Sequence, residues 1–214
     1  MKIHSFFVAL STSVALATPF YPRQAGRPSV TVTQGILTGT TTTFPSATAT
    51  VNQFLGIPFG AKPERFATPT AASAWSGTYD ATKYKDVCIQ QFSYISAFGV
   101  DFRELTIKVF DTPGPQANES EDCLNLNVFA PSTASTSNLK PVMFWIYGGA
   151  FAFGANSLPM YDGSHFAAEQ DILVVTINYR TNIFGFPGYP SQPKGELNLG
   201  FVSANASKYL LISF

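Results

Sequence analysis

The residues best placed to do chemistry lie where glycines interrupt an apolar run. In Trp145-Ile-Tyr-Gly-Gly-Ala-Phe151 the apolar stretch meets Gly148-Gly149 directly. Two adjacent backbone N–H groups with no side chain in the way can grip a developing oxyanion. The competing reading is a tight turn that needs glycine for positive φ, and the Gly-Gly pair taken alone favours that turn. Acyl transfer would further need a serine on a G-x-S-x-G elbow, a histidine base and an acidic partner. No G-x-S-x-G occurs in the 214 residues, and the histidines are only His4 and His165. Gly163-Ser164-His165 lacks the elbow pattern, with Asp162 before it and Ala167 after it. His165 is therefore expected to be a partly exposed helix residue and not a base. Cys88 and Cys123, with one spare histidine, do not make a tetrahedral metal site. No metal and no cofactor is expected.

These groups need a frame. Pro141–Tyr147 is a continuous apolar run, as expected of a strand covered on both faces, and Ile172–Ile177 is a second. A helix is expected between them from about Gly163 to Glu169, with Ser164 as a possible cap. Two buried strands flanking a helix indicate an α/β sheet. Earlier, Val30–Thr33 and Ile36–Gly39 alternate around Gln34-Gly35, a hairpin pattern. Val51–Phe59 reads as extended and is stopped by Pro58 and Gly60. Residues 61–80 read as irregular surface structure. Leu124–Phe129 alternates apolar and polar and is closed by Pro131.

Composition narrows the class. Lys+Arg and Asp+Glu are 13 each, so the chain lacks the basic excess of a nucleic-acid binder. With 45% hydrophobic residues and 20 phenylalanines it can bury a core, which excludes disorder of the whole. Lys2, the apolar Phe6–Ala17 and the small-x-small Ala15-Leu16-Ala17 read as a signal peptide over residues 1–17. That stretch falls short of the about 20 apolar residues a bilayer span requires, and no transmembrane segment is expected later. Residues 18–29 read as an exposed lead-in. A secreted, extracellular chain sits in an oxidising compartment, so Cys88 and Cys123 are expected to pair. Closing that loop stabilises the fold by roughly 4 kcal/mol in the chain-entropy model. Asn118-Glu-Ser and Asn205-Ala-Ser are glycosylation sequons.

The ordered motifs carry a resemblance. Phe54-Leu-Gly-Ile-Pro-Phe59, Arg65-Phe66, Trp75-Ser-Gly77, Ser120-Glu-Asp-Cys-Leu-Asn-Leu-Asn-Val128 and Trp145–Phe151 occur in family order. Tyr161-Asp-Gly163, Asn178-Tyr-Arg180, Phe184-Gly-Phe186 and Asn198-Leu-Gly-Phe201 follow. Over about Val30–Phe201 the chain resembles the type-B carboxylesterase/lipase family, the cholinesterase-like α/β-hydrolases. The wording of Thr181–Pro187 looks fungal. The resemblance implies the N-terminal part of an α/β-hydrolase fold: a central mixed, mostly parallel sheet with a small N-terminal antiparallel sheet. It assigns Gly149 and Ala150 two oxyanion-hole N–H groups. It assigns Gly148 the shaping of the loop and Phe151 the acyl side of the gorge. Ala150 stands where relatives often have a third glycine, which a backbone donor tolerates if φ permits. Cys88–Cys123 matches the first family disulfide, and Arg65–Glu121 matches a structural salt bridge. Within the disulfide loop, Phe92, Tyr94, Phe98 and Phe102 either face the apolar part of an ester or simply pack the loop.

By the same resemblance, residues 30–201 form a partial carboxylesterase domain that stops before the nucleophile elbow. Residues 202–214 form a non-family tail where relatives continue with a Leu-Asp-Gln-Arg-Leu-Ala type helix. The implied activity is carboxylic ester hydrolysis through an acyl-serine, on a small-molecule or lipid ester, with this chain itself inactive and poorly soluble. A non-catalytic cholinesterase-like recognition module and a non-functional truncated product are the alternatives. Val202-Ser203 is what an in-frame intron donor beginning GTAAGT encodes. A transcript read across codon 201 is thus expected to leave this frame; a spliced message encoding the same tail overturns the intron origin.

Overall fold

The computed structural model describes residues 26–47, 49–92, 96–97, 100–101, 104–105, 108, 118–189, 193, 197–207 and 210. The expected signal peptide over residues 1–17 lies outside the described residues, as does most of the lead-in. In chain order the strands are β1 (Ser29–Val32), β2 (Gly35–Thr38), β3 (Thr40–Thr42), β4 (Val51–Pro58), β5 (Thr78–Asp80) and β6 (Val87–Cys88). They continue as β7 (Ser96–Ala97), β8 (Val100–Asp101), β9 (Glu119–Ser120), β10 (Asn125–Pro131), β11 (Val142–Ile146) and β12 (Leu173–Ile177).

The alternation around Gln34-Gly35 folds as expected: β1 and β2 pair antiparallel with Val32 opposite Gly35. The small sheet is nevertheless mixed and not antiparallel throughout, because β5 joins β2 in parallel. The chain between them first visits the larger sheet through β3 and β4, which supplies the long crossover a parallel pair needs.

The larger sheet has the order β11-β12-β10-β4-β3. Of its pairings only β11–β12 is parallel; β12–β10, β10–β4 and β4–β3 are antiparallel. The expected mostly parallel character is therefore not met among the described residues. The one parallel pair is the one whose connection contains a helix, Ser164–Gln170. Ser164 is not the cap of that helix but its first residue. It is buried, its Oγ accepts from Gln53 Nε2 at 2.8 Å, and its N–H donates to Asp162 Oδ1 at 2.8 Å. The carboxylate of Asp162 thus serves the helix start.

β11 corrects a second expectation. Its apolar run predicts cover on both faces, yet it forms the sheet edge, with Val142 57%, Trp145 40% and Ile146 51% exposed. An apolar edge with open N–H and C=O groups is a template for further pairing. β10 differs in the opposite sense. Its alternation would suit a half-buried strand, but every residue from Asn125 to Pro131 is buried because strands flank it on both sides.

The polar positions of β10 are explained by a bulge. Val128 faces Phe54 and Leu126 faces Ile57, so Leu55 and Gly56 together oppose Asn127. Gly56 takes φ 66, and a Cβ there would meet Lys85 Cγ at 2.4 Å. An extra residue turns a peptide away from the ladder. The displaced Gly56 N–H is captured by Asn127 Oδ1 at 2.8 Å, and the Gly56 carbonyl by the Tyr79 hydroxyl at 2.9 Å. Asn127 Nδ2 donates to Asn156 O at 3.1 Å and to Thr176 Oγ1 at 2.9 Å.

The helix Leu199–Ala206 runs through residue 202 without interruption. It buries Ser203, and Leu210 joins the main core with Leu126, Val128 and Ile177. No helix among the described residues is long and apolar enough to cross a membrane.

Asn127→Leu fills the same space but strands the buried Gly56 N–H, while the Asn156 carbonyl keeps only the Thr176 hydroxyl at 3.3 Å. A loss of about 2–4 kcal/mol in unfolding free energy is expected from denaturant titration; an unchanged midpoint would refute the role given to this amide.

Candidate active site

β11 delivers Tyr147 to the end of the sheet, where the chain must leave it. Tyr147 is fully enclosed and stacks on Tyr179, with ring centroids 4.5 Å apart. Each hydroxyl donates to the backbone carbonyl of the other residue, Tyr147 to Tyr179 O at 3.0 Å and Tyr179 to Tyr147 O at 3.1 Å. Burial pushes both phenols above their usual pKa, so they stay protonated donors. The strand exit is thereby pinned to the residues after β12.

The turn begins there. Gly149, Ala150 and Phe151 all have positive φ, at 135°, 54° and 61°. A Cβ on Gly149 would lie 2.0 Å from Phe153 O, whereas Gly148 has no heavy atom within 4 Å of that position. The shaping expected of Gly148 therefore falls on Gly149, and on Gly154, where φ is 124° and a Cβ would meet Tyr147 Cδ2 at 2.4 Å. Ala150 takes the left-handed conformation, which costs an L-residue roughly 1–2 kcal/mol. The turn closes on itself through Ala152 N–H to Gly149 O at 2.9 Å. Among the described residues the N–H groups of Gly149 and Ala150 donate to no acceptor. Two adjacent backbone donors beside no side chain larger than a methyl can receive an anion.

Phe151 is half exposed. Its ring lies 5.0 Å from Phe186 and 5.4 Å from Phe201, so these rings form an apolar wall beside the turn. Phe92 packs against Phe153 at 5.3 Å and so serves the loop itself. Tyr94, Phe98 and Phe102 lie outside the described residues.

The base of the site is charged and covalently tied. Cys88 and Cys123 form a disulfide, and both are buried. Arg65 Nε donates to Glu121 Oε1 at 2.7 Å, which brings the expected pair together. A small cleft there is lined by Arg65, Phe66, Cys88, Cys123, Glu121 and Arg180. Arg180 is only 4% exposed; its Nε donates to Ser203 Oγ at 3.0 Å and its Nη1 to Ala67 O at 2.8 Å. Desolvation pushes this guanidinium down to about 10, opposed by the Glu121 carboxylate.

The remaining candidates stand apart from the turn. His165 is exposed on its helix, its ring tilted against Phe44 with centroids 3.9 Å apart and Nδ1 3.8 Å from Glu169 Oε1. Asn118 and Asn205 are exposed, as a glycan would require. Among the described residues no group of three or more His, Cys, Asp or Glu could hold a metal ion.

Sequence reasoning missed three residues that hold the turn. Gln90 brackets Gly154, Asn182 N–H donates to Phe151 O at 2.6 Å, and Asn156 locks the exit. Their only signal was proximity to motifs, since a lone amide has no diagnostic spacing.

The chain is similar to known proteins over most of its length. A family model described as the carboxylesterase family matches residues 26–202. Carboxylesterase 5A of Homo sapiens is 38% identical over 174 residues, covering 80% of this chain and 28% of that protein. Acetylcholinesterase of Bungarus fasciatus is 35% identical over 184 residues, covering 85% and 28%. Para-nitrobenzyl esterase of Bacillus subtilis (strain 168) is 43% identical over 139 residues, covering 64% and 25%. The chain spans less than a third of the length of each of these relatives.

The two glycines of the turn should respond differently to a methyl group. Gly149→Ala is expected to lower stability by about 1–3 kcal/mol through clash and strained φ. Gly148→Ala should stay within about 0.5 kcal/mol of the parent. Equal midpoints for the two variants in denaturant unfolding would contradict the steric assignment.

Proposed function

The chain belongs to the carboxylesterase family, and on that premise we propose that its turn at residues 148–151 is the oxyanion hole of a serine carboxylic-ester hydrolase. The N–H groups of Gly149 and Ala150 stabilise the negative charge of the tetrahedral intermediate. Phe151 lines the acyl side of the pocket, and Gly148 leads the strand into the turn. The serine, histidine and acid act from outside the 214 residues. With them, an acyl-serine forms as the alcohol leaves, and water then releases the acid. The 214-residue chain alone is inactive, because an oxyanion hole without a nucleophile has nothing to stabilise. Residues 1–17 direct secretion, residues 202–214 are a non-family tail, and Asn118 and Asn205 are open to glycosylation.

One observation carries the reading. Among the described residues, two consecutive N–H groups are held without an acceptor, in a backbone conformation that costs energy, at the end of a sheet edge. A simple turn would use those donors.

A chromogenic short-chain ester decides it. The chain as given is expected to show no turnover sensitive to a serine reagent. In a longer protein that supplies the elbow, Gly149→Ala keeps the N–H but must shift the turn, because its Cβ would lie 2.0 Å from Phe153 O; kcat should fall by up to about 10²–10³, the cost of a lost oxyanion donor. Serine-reagent-sensitive hydrolysis by the 214-residue chain, or an unaffected kcat in the longer variant, would overturn the assignment.

A further inference from the structure

The turn is strained, and its two ends do not explain how the strain is held. Gly149, Ala150 and Phe151 share positive φ, and a non-glycine residue in that region persists only where its surroundings enforce it. The tethers at Tyr147 and Asn156 fix entry and exit, and Asn182 N–H holds the Phe151 carbonyl between them at 2.6 Å. One side chain reaches that segment from outside the sheet. Gln90 Oε1 accepts from the N–H of Gly154 at 2.6 Å, and its Nε2 donates to the carbonyl of the same residue at 3.0 Å. Nε2 also donates to Cys88 O at 2.5 Å. A single planar amide therefore grips both backbone groups of one glycine and ties them to the disulfide half-cystine two residues away. The neighbouring Gln91 N–H donates to Ala152 O at 2.9 Å, which continues the contact along the turn.

Resting on the ester-hydrolase reading of the turn, we propose that Gln90 is a positioning residue of the oxyanion hole. It clamps Gly154 from the disulfide-loop base and so holds the Gly149 and Ala150 N–H groups outward. The chemistry selects an amide: near pH 7 no other side chain of this length offers a donor and an acceptor in one plane, since glutamate is then acceptor-only. Gly154 must be glycine for the approach, since a Cβ there would also meet Gly148 O at 2.7 Å. The clamp links two parts of the chain far apart in sequence, and their agreement fixes the turn without a hydrogen bond from the donors themselves.

Amide hydrogen exchange followed by mass spectrometry tests this on the chain itself. Gln90→Met keeps the length and removes both hydrogen-bonding groups. Exchange over residues 149–156 is expected to rise about tenfold or more, while residues 125–131 and 173–177 keep parent protection. Gln90→Glu is the second variant. Ionised near pH 7, it keeps the acceptor but faces the Gly154 and Cys88 carbonyls with negative charge. Protonated near pH 4, it regains the donor. Its turn should exchange fast relative to the parent at pH 7 and approach the parent at pH 4. Unchanged exchange in Gln90→Met would overturn the proposal. So would an equal rise across the whole sheet, which marks a general packing role, or a Gln90→Glu profile that never recovers on acidification. No turnover enters this measurement, so its failure is separate from failure of the ester-hydrolase reading, which the chromogenic assay decides.

Discussion

A buried cluster of amides holds the backbone wherever it departs from regular structure. Asn125, Asn127, Asn156 and Asn178 meet at the end of the central strands, all at most 4% exposed. Asn156 N–H donates to Asn178 Oδ1 at 2.9 Å, and Asn156 Nδ2 donates to Asn125 O at 3.0 Å. Asn178 N–H donates in turn to Asn125 O at 2.9 Å. Every one of these bonds satisfies a group that has left its ladder or never had one. In a low-dielectric interior such groups are costly when unpaired and strong when paired. A short side chain with one donor and one acceptor face suits that duty, which explains why four asparagines occupy core positions that would otherwise be apolar.

The same cluster makes a strained turn possible. The turn leaves β11 at Tyr147 and returns to the cluster at Asn156, so both of its ends are fixed to the ends of β10 and β12. A turn with free ends would relax its left-handed residues to ordinary φ values. Here the fixed ends, with Asn182 on Phe151 and Gln90 on Gly154, leave no such route. The Gly149 and Ala150 N–H groups are left without an acceptor among the described residues. Preorganisation of this kind is what an oxyanion site needs, because donors already oriented do not reorganise as charge develops.

Much of this was legible in the sequence, and the failures have physical causes. The hairpin, β4, β12 and the helix between β11 and β12 follow from alternation, apolar runs and turn residues. The Gly148–Phe151 segment was readable because glycine at a strand end has few explanations. The cover of β11 was misread because an apolar run states what a strand can bury, not what lies beside it. The alternation of β10 was legible, but not what Asn125 and Asn127 bind, because the bulge at Gly56 that Asn127 satisfies leaves no mark in the pattern. Ser164 resembled a cap, but the carboxylate of Asp162 is closer to the helix N–H and leaves Ser164 to the interior. The role of Gly148 moved to Gly149 and Gly154 because φ, and not glycine content, decides which residue a turn requires.

The charges beneath the disulfide depend on a single carboxylate, Glu121. Arg180 is enclosed, yet the groups it touches are a hydroxyl and a carbonyl, and its Nη2 has no hydrogen-bond partner among the described residues. Neutral acceptors solvate a guanidinium but do not balance it. The carboxylate that offsets its charge is Glu121, which is already hydrogen-bonded to Arg65. One anion thus serves two cations, one exposed and one buried. The exposed pair with Arg65 is worth little by itself. Its larger consequence is to hold Glu121 where the buried cation can feel it, since an uncompensated interior charge is far more costly than a lost surface pair. Arg180 in turn joins the residue after Tyr179 to the 199–206 helix through Ser203. Arg180 thus tethers the helix, and with it the Phe201 ring that walls the turn, alongside the buried Leu199 of the same helix.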